Sequence, residues 1–302
     1  MNKPDLTVVL STHNRPVEMR QALAAIVGQD YDGPIETIIV WDKTTPEHEL
    51  SSIDPHRPVQ TISNDHTPGL PGGRNSGVAK ASAPVVAFCD DDDIWDPTKA
   101  RKQLALLERT GAPAVGCSTT IVTPEREIVR RATASAIRFE DLLLARVPEA
   151  CMGCAMVRRE AFEGPIGGMD EHIPGGYGED YEWWLRAARH APIPNVEEGL
   201  YRVLWTGSSF FRQGWQNMDE SLAMLMERFP EFKTQPKGLG RILGQRAFAN
   251  AAMGNRAEAL SLSVSALRYK PTEARVLLAM AVAAGIEAER VMALANRFGR
   301  GI

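Results

Sequence analysis

Four consecutive aspartates, Asp90 to Asp93, follow directly on the apolar run Val85–Cys89, and this junction limits what the chain can fold into. A short uninterrupted apolar run reads as a strand buried on both faces, the kind found in parallel sheets. Ligands of open α/β sheets bind beyond the carboxyl ends of the strands, so the aspartates are expected on the functional edge. Carboxylates this close repel one another unless a cation sits among them. A hard cation, Mn2+ or Mg2+, is expected, held by one or two carboxylates, with water and substrate phosphates completing its shell. The plain alternative is a solvated acidic turn.

Further apolar runs rich in β-branched residues occur at Leu6 to Leu10, Glu36 to Trp41, Val59 to Ile62 and Ala114 to Cys117. A helix from Pro16 to Gly28, opened by its proline, joins the first two as a βαβ unit. Helices from Asn75 to Lys80 and from Pro97 to Arg109 flank the acidic run. The pattern predicts a mainly parallel, nucleotide-binding sheet flanked by helices. Beyond Pro236 and Gly238 only helical periodicity remains, over 239–253, 255–269, 272–284 and 287–298. Gly254, Ala259, Ala266 and Pro271 fall at tetratricopeptide-like spacing, but so few repeats need another domain to pack against.

A chain of 302 residues, 44% hydrophobic and 24% charged, is an ordinary globular protein with room for one large domain or two smaller ones. The N-terminal apolar run ends too early for a signal-peptide core, and Val276–Ile286 is too short to span a bilayer. Cysteines only at 89, 117, 151 and 154 argue against a disulfide framework and for a cytoplasmic location. Cys151 and Cys154 form a single C-x-x-C without the second pair a zinc site needs, so a structural role is expected. Residues 233–302 carry 11 basic and 4 acidic side chains, against a net −11 for residues 1–232. That balance opposes nucleic-acid binding by the larger part and leaves a cationic tail. The tail is expected either to present solvated helix faces or to rest on the inner face of the membrane.

Polar residues follow the strands where ligands would sit: STHNRP after the first, Asp42 after the second, the aspartates after the fourth. The Gly-rich GLPGGRNSG is neither a dinucleotide fingerprint nor a P-loop. A second acidic signal, GGMDEHIPGGYGEDYEWWLRAARH, places Glu179 and Asp180 at the start of an aromatic-rich helix. Asp180 is expected either to cap that helix or to stand beside a sugar-sized surface formed by Trp183 and Trp184.

In order and spacing, LSTHNRP, Asp42, GLPGGRNSG, FCDDDDIWDP and GGMDEHIPGGYGEDYEWWLR resemble the family 2 inverting glycosyltransferases of the GT-A fold, over roughly residues 5–215. The resemblance implies a GT-A catalytic domain over 1–232, followed by a helical domain over 233–302. It implies a metal-dependent hexosyltransferase that moves a sugar from a nucleoside diphosphate donor, a UDP sugar, to a glycan, lipid-linked or small-molecule acceptor. By the same resemblance Ser11, Thr12, Asn14 and Arg15 line the nucleotide pocket, Asp42 bonds the base, and Arg74 lies near the donor. Asp90 and Asp92 match the metal motif, Asp91 the ribose contact, and Asp180, beside Glu179, the catalytic base.

Two positions depart from the family pattern. Trp41 precedes Asp42 where relatives carry two acids, and a histidine common near Trp205, which would be a third metal ligand, is absent. His172 and His190 are the nearby substitutes. A non-catalytic sugar-nucleotide-binding protein of the same fold and a sugar nucleotidyltransferase remain as alternatives, the latter lacking its early Gly-rich triphosphate loop.

Overall fold

The computed structural model describes residues 4–123, 126–131, 134–147, 150–204 and 214–297. The strands are β1 (Leu6–Thr12), β2 (Ile35–Trp41), β3 (Val59–Ser63), β4 (Val85–Asp90), β5 (Asp93–Trp95), β6 (Ala114–Val122), β7 (Glu127–Arg130), β8 (Ala136–Ile137), β9 (Met156–Arg158) and β10 (Ile193–Leu204). The helices are α1 (Pro16–Val27), α2 (Leu70–Lys80), α3 (Lys99–Thr110), α4 (Phe139–Leu144), α5 (Arg159–Glu163), α6 (Glu179–His190), α7 (Trp215–Arg228), α8 (Pro236–Ala252), α9 (Arg256–Tyr269), α10 (Ala274–Ala283) and α11 (Ala288–Arg297). Two compact units divide the chain. One comprises residues 1–139, 147–171 and 179–208, the other residues 140–146, 172–178 and 209–302.

The first unit is built on a sheet of order β3-β2-β1-β4-β9-β6-β10-β5. The strands from β3 to β4 are parallel. Beyond them the sheet is mixed, with β9 antiparallel to both β4 and β6, and β10 parallel to β6 but antiparallel to β5. Only Asp91 and Asp92 separate β4 from β5, far too few residues for the crossover that a parallel return requires. In register, Ser11 lies opposite Asp90, Thr12 opposite Trp41, and Trp41 opposite Ser63. The polar segments after four strands therefore start level at one edge.

Leu6, Val8 to Leu10, Ile38 to Val40 and Val86 to Phe88 are wholly buried, as strands covered on both faces must be. Each of these side chains other than Ala87 contributes roughly 1.5–3 kcal/mol relative to exposure. Helix α2 starts at Leu70, inside the Gly-rich segment and five residues before the expected Asn75. Glycines depress helix propensity, but here they let the helix lie close on the sheet. A Cβ on Gly77 would collide with Val9 Cγ1, and one on Gly73 would come within 3.1 Å of Ser11 Oγ. Gly77→Ala is therefore expected to cost about 1–3 kcal/mol by overpacking, to be read from urea unfolding with an unchanged m-value.

The second unit is helical. Helix α7, which the sequence placed with the larger domain, packs on α8 within this unit: Trp215 meets Phe248 edge-on at 5.4 Å, and Arg246 pairs with Asp219 at 2.7 Å. α8 also packs on α9 and α10, and its Gly238 lies against the Leu143 carbonyl, where a Cβ would have no room. Among the described residues no helix is long and apolar enough to cross a membrane.

Candidate active site

The level strand ends place Ser11 to Arg15, Asp42 and the aspartate run side by side, and side-chain bonds knit them together. Asp91 is the hub on the β1 side. Its Oδ2 accepts from Thr12 Oγ1 at 2.9 Å and from the His13 backbone N–H at 3.2 Å, while Oδ1 accepts from Arg15 Nη1 at 3.0 Å. The same guanidinium nitrogen reaches Asp92 Oδ2 at 2.6 Å. Asp91 and Thr12, expected to touch the nucleotide, thus bind each other, and Arg15 binds the aspartates. Asn14 takes the left-handed conformation, φ 55°, turning the chain out of β1 into α1. Ser11 Oγ is buried beside Gly73 and has no hydrogen-bond partner among the described residues. His13 Nδ1 lies 2.7 Å from the Asp42 carbonyl oxygen, and Asp42 Oδ1 accepts from Asn64 Nδ2 at 2.8 Å.

Arg74 joins three elements. Its guanidinium is buried, donating through Nη2 to Asp90 Oδ1 and through Nη1 to Glu179 Oε1, both at 2.7 Å. Burial works to lower its pKa, and the two carboxylates override this and raise it. Arg74, expected near the donor, is thus occupied on both sides, and Glu179, grouped with Asp180 as catalytic, is a buried anchor. The separation follows from the helix: residues one apart on α6 point about 100° apart, so Glu179 can be tied down while its neighbour faces elsewhere. Asp180 lies in the first turn of α6, 8% exposed, with Oδ1 accepting its neighbour's Tyr181 N–H at 2.7 Å.

The aspartate run is under electrostatic load. Asp92 is raised by burial and then by the charge of Asp90, against Arg15. Burial, then Asp90 and Asp92, push Asp93 up to about 8, although the Leu204 N–H donates to it at 3.2 Å. Tyr201, buried behind the run, accepts from the Asp90 N–H at 3.3 Å. Among the described residues no group of three His, Cys, Asp or Glu side chains is arranged to hold a metal. His190 is at the far end of α6 from Asp180, about 15 Å along the axis. Trp205 lies outside the described residues, and His172 belongs to the second unit.

Trp183 and Trp184 are core residues and offer no sugar platform. Both are fully buried, with Trp183 tilted on Phe162 at 6.0 Å and its Nε1 donating to the Gly167 carbonyl at 3.0 Å. Cys151 and Cys154 are free thiols with sulfurs 3.3 Å apart; burial, then Cys117 and Cys151 nearby, pushes the Cys154 thiol up.

Two groups at this edge were missed from sequence. Asn64, directly after β3, braces Asp42, and Glu171 accepts from Asn75 Nδ2 at 2.6 Å, from the Thr67 N–H at 3.0 Å, and pairs with His66 Nδ1 at 2.7 Å. Asn64 was findable by the rule that pointed to Asp42, since it too is the residue directly after a strand of the parallel sheet.

Residues 7–164, more than half of the chain, match the model of Glycosyl transferase family 2. The chain belongs to this family. It is 24% identical to the Bacillus subtilis (strain 168) protein described as uncharacterized glycosyltransferase YwdF, over 78% of this chain and 85% of that one. It is 19% identical, over 65% and 74% of the two chains, to the Escherichia coli UDP-Glc:alpha-D-GlcNAc-diphosphoundecaprenol beta-1,3-glucosyltransferase WfgD. S. aureus TarS 1–349, solved in complex with UDP-GlcNAc, superposes with a TM-score of 0.65 at 13% identity, over 98% of this chain and 92% of that one. The sheet and its flanking helices are accordingly the GT-A architecture, and this family 2 member is a glycosyltransferase.

Proposed function

We propose that this family 2 glycosyltransferase moves a hexose from a UDP sugar to an acceptor hydroxyl by single displacement, with inversion at the anomeric carbon. The observation that carries the reading is the Arg74 bridge, which ties the aspartate run at the end of β4 to the first turn of α6, where Asp180 lies. Donor and base are thereby held on one rigid frame, which is how positioning lowers a barrier.

Ser11 Oγ, with no hydrogen-bond partner among the described residues, and Asp42, oriented by Asn64, form the nucleoside side of the pocket. Asp90 and Asp92 fit a hard divalent cation, Mn2+ or Mg2+: both offer carboxylate oxygens, and the mutual repulsion around them is what such an ion relieves. Bound there, the cation supplies positive charge to the diphosphate leaving group. Asp91 and Arg15 keep the aspartate turn in place, and Asp180 takes the proton from the acceptor hydroxyl as it attacks. The similarity to the UDP-Glc:alpha-D-GlcNAc-diphosphoundecaprenol glucosyltransferase WfgD and to TarS bound to UDP-GlcNAc favours UDP as the nucleotide and a diphosphoundecaprenol-linked acceptor. A lipid-linked acceptor also gives the basic residues of the helical second unit a role, facing anionic lipid at the inner membrane surface.

The donor class is tested by thermal unfolding with UDP, GDP and dTDP, with and without Mn2+. At 100 times its Kd a ligand of the native state adds about 2.7 kcal/mol, a shift of roughly 5–10 °C. UDP with Mn2+ is expected to give such a shift in the wild type but not in Asp92→Asn; stabilisation by another nucleotide alone, or equal stabilisation of the variant, rejects the assignment.

A further inference from the structure

We infer that Glu171 is a positioning residue for nucleotide recognition: with Asn75 it clamps the loop after β3, and through Asn64 it sets the orientation of Asp42. The inference rests on the donor reading above and concerns a carboxylate to which that reading gives no role.

The Glu171 side chain, 16% exposed, collects donors from two segments. Asn75 Nδ2 comes from α2, whereas His66 Nδ1 and the Thr67 N–H come from the loop between β3 and α2. Asn75 in turn exchanges two hydrogen bonds with the backbone of Met169, each at 2.9 Å. A Cβ on the neighbouring Gly168 would stand 2.9 Å from Asn75 Oδ1, so the approach depends on glycine there. The segment 168–171 is thereby stapled to α2, and Glu171 extends the staple to the loop.

What the loop holds is Asn64. Its Nδ2 donates to Asp42 Oδ1 and to the Thr67 carbonyl at 3.1 Å; its Oδ1 accepts from the His66 N–H at 3.0 Å and from Ser76 Oγ at 2.8 Å. Two of these four bonds are made with residues that Glu171 grips. Burial works to raise the Glu171 pKa, but its bonds to Asn75, Thr67 and His66 outweigh it and bring the carboxyl down to about 2. A full anion therefore faces the three donors throughout the neutral range. Glu171→Gln keeps the shape, replaces one acceptor oxygen by a donor, and leaves a donor facing a donor.

Because Glu171 acts on the nucleoside side and not on the aspartate run, its loss should be selective. Calorimetric titrations with Mn2+ present would compare UDP with inorganic pyrophosphate on wild type and Glu171→Gln. The expected result is an increase of about tenfold in the UDP Kd, equivalent to about 1.4 kcal/mol, with the pyrophosphate Kd and both stoichiometries unchanged. Equal weakening of both ligands, a lower stoichiometry at unchanged Kd, or no change in the UDP Kd overturns the inference, since each describes general loosening or no role. If Glu171→Gln does not fold, His66→Ala carries the test, because that side chain is 40% exposed and removes one of the three bonds. It should weaken UDP binding in the same selective way, and unaltered UDP binding overturns the inference. Absence of UDP binding by the wild type rejects the donor reading itself, and the inference falls with it; UDP binding equal in wild type and variants rejects the inference alone.

Discussion

Asp180→Asn is expected to slow sugar transfer by roughly 10²–10⁴-fold, the span that a positioned general base supplies, while UDP affinity stays at the wild-type value. The substitution is nearly isosteric, and the amide oxygen can keep accepting the Tyr181 N–H that Asp180 Oδ1 now accepts. What the amide lacks is the ability to take a proton from the attacking hydroxyl. The nucleotide is assigned to Ser11, Asp42 and the aspartate run at the ends of β1, β2 and β4, whereas Asp180 belongs to α6. Loss of transfer at constant UDP affinity is the signature of an interaction made only in the transition state. A fall in both by the same factor would make Asp180 a donor-binding residue.

The largest effect on stability is expected from Arg74→Met. The methionine removes the cation and leaves Asp90 and Glu179 facing one another across a buried space, with side chains only 27% and 7% exposed. Breaking a buried ion pair by removing one partner costs roughly 3–5 kcal/mol, because the remaining charge keeps its desolvation penalty without compensation. Unfolding by urea should show this loss, with a fall in Tm of roughly 10 °C. Combining Arg74→Met with Glu179→Gln should recover part of the deficit, since one stranded charge is then neutral. An additive double variant would show that the bridge is not a coupled unit. Arg74→Lys should fall between, as a single ammonium cannot present two parallel donors to carboxylates on different elements.

The parallel half of the sheet was legible because β1, β2 and β4 are mostly apolar, buried runs closed by polar residues, while β3, with Gln60 exposed, showed only as a short β-branched run. Strands β5, β8 and β9, of two or three residues, are too short to show alternation. Their pairing comes from β10, β4 and β6. The start of α2 was misplaced because Gly72 and Gly73 read as loop, although Gly73, like Gly77 one turn on, lets the helix lie close against β1. At the site, which residues cluster was legible, but what each one touches was not. Asp91, Arg15, Arg74 and Glu179 carry ligand-binding chemistry in their side chains, and the fold commits them to one another. The tryptophan pair shows the same limit. Aromatic residues beside an acid suit a sugar surface or a core equally well, and tertiary packing decided for the core.

Asp90 and Asp92 are assigned to the donor and Asp180 to the acceptor hydroxyl. The most direct measurement is UDP release from a panel of UDP sugars by wild type, Asp92→Asn and Asp180→Asn with Mn2+, with UDP binding measured on the same samples. The result expected from this assignment is release from at least one sugar by the wild type alone, UDP binding retained by Asp180→Asn, and UDP binding lost by Asp92→Asn. Release by Asp180→Asn at the wild-type rate would contradict it.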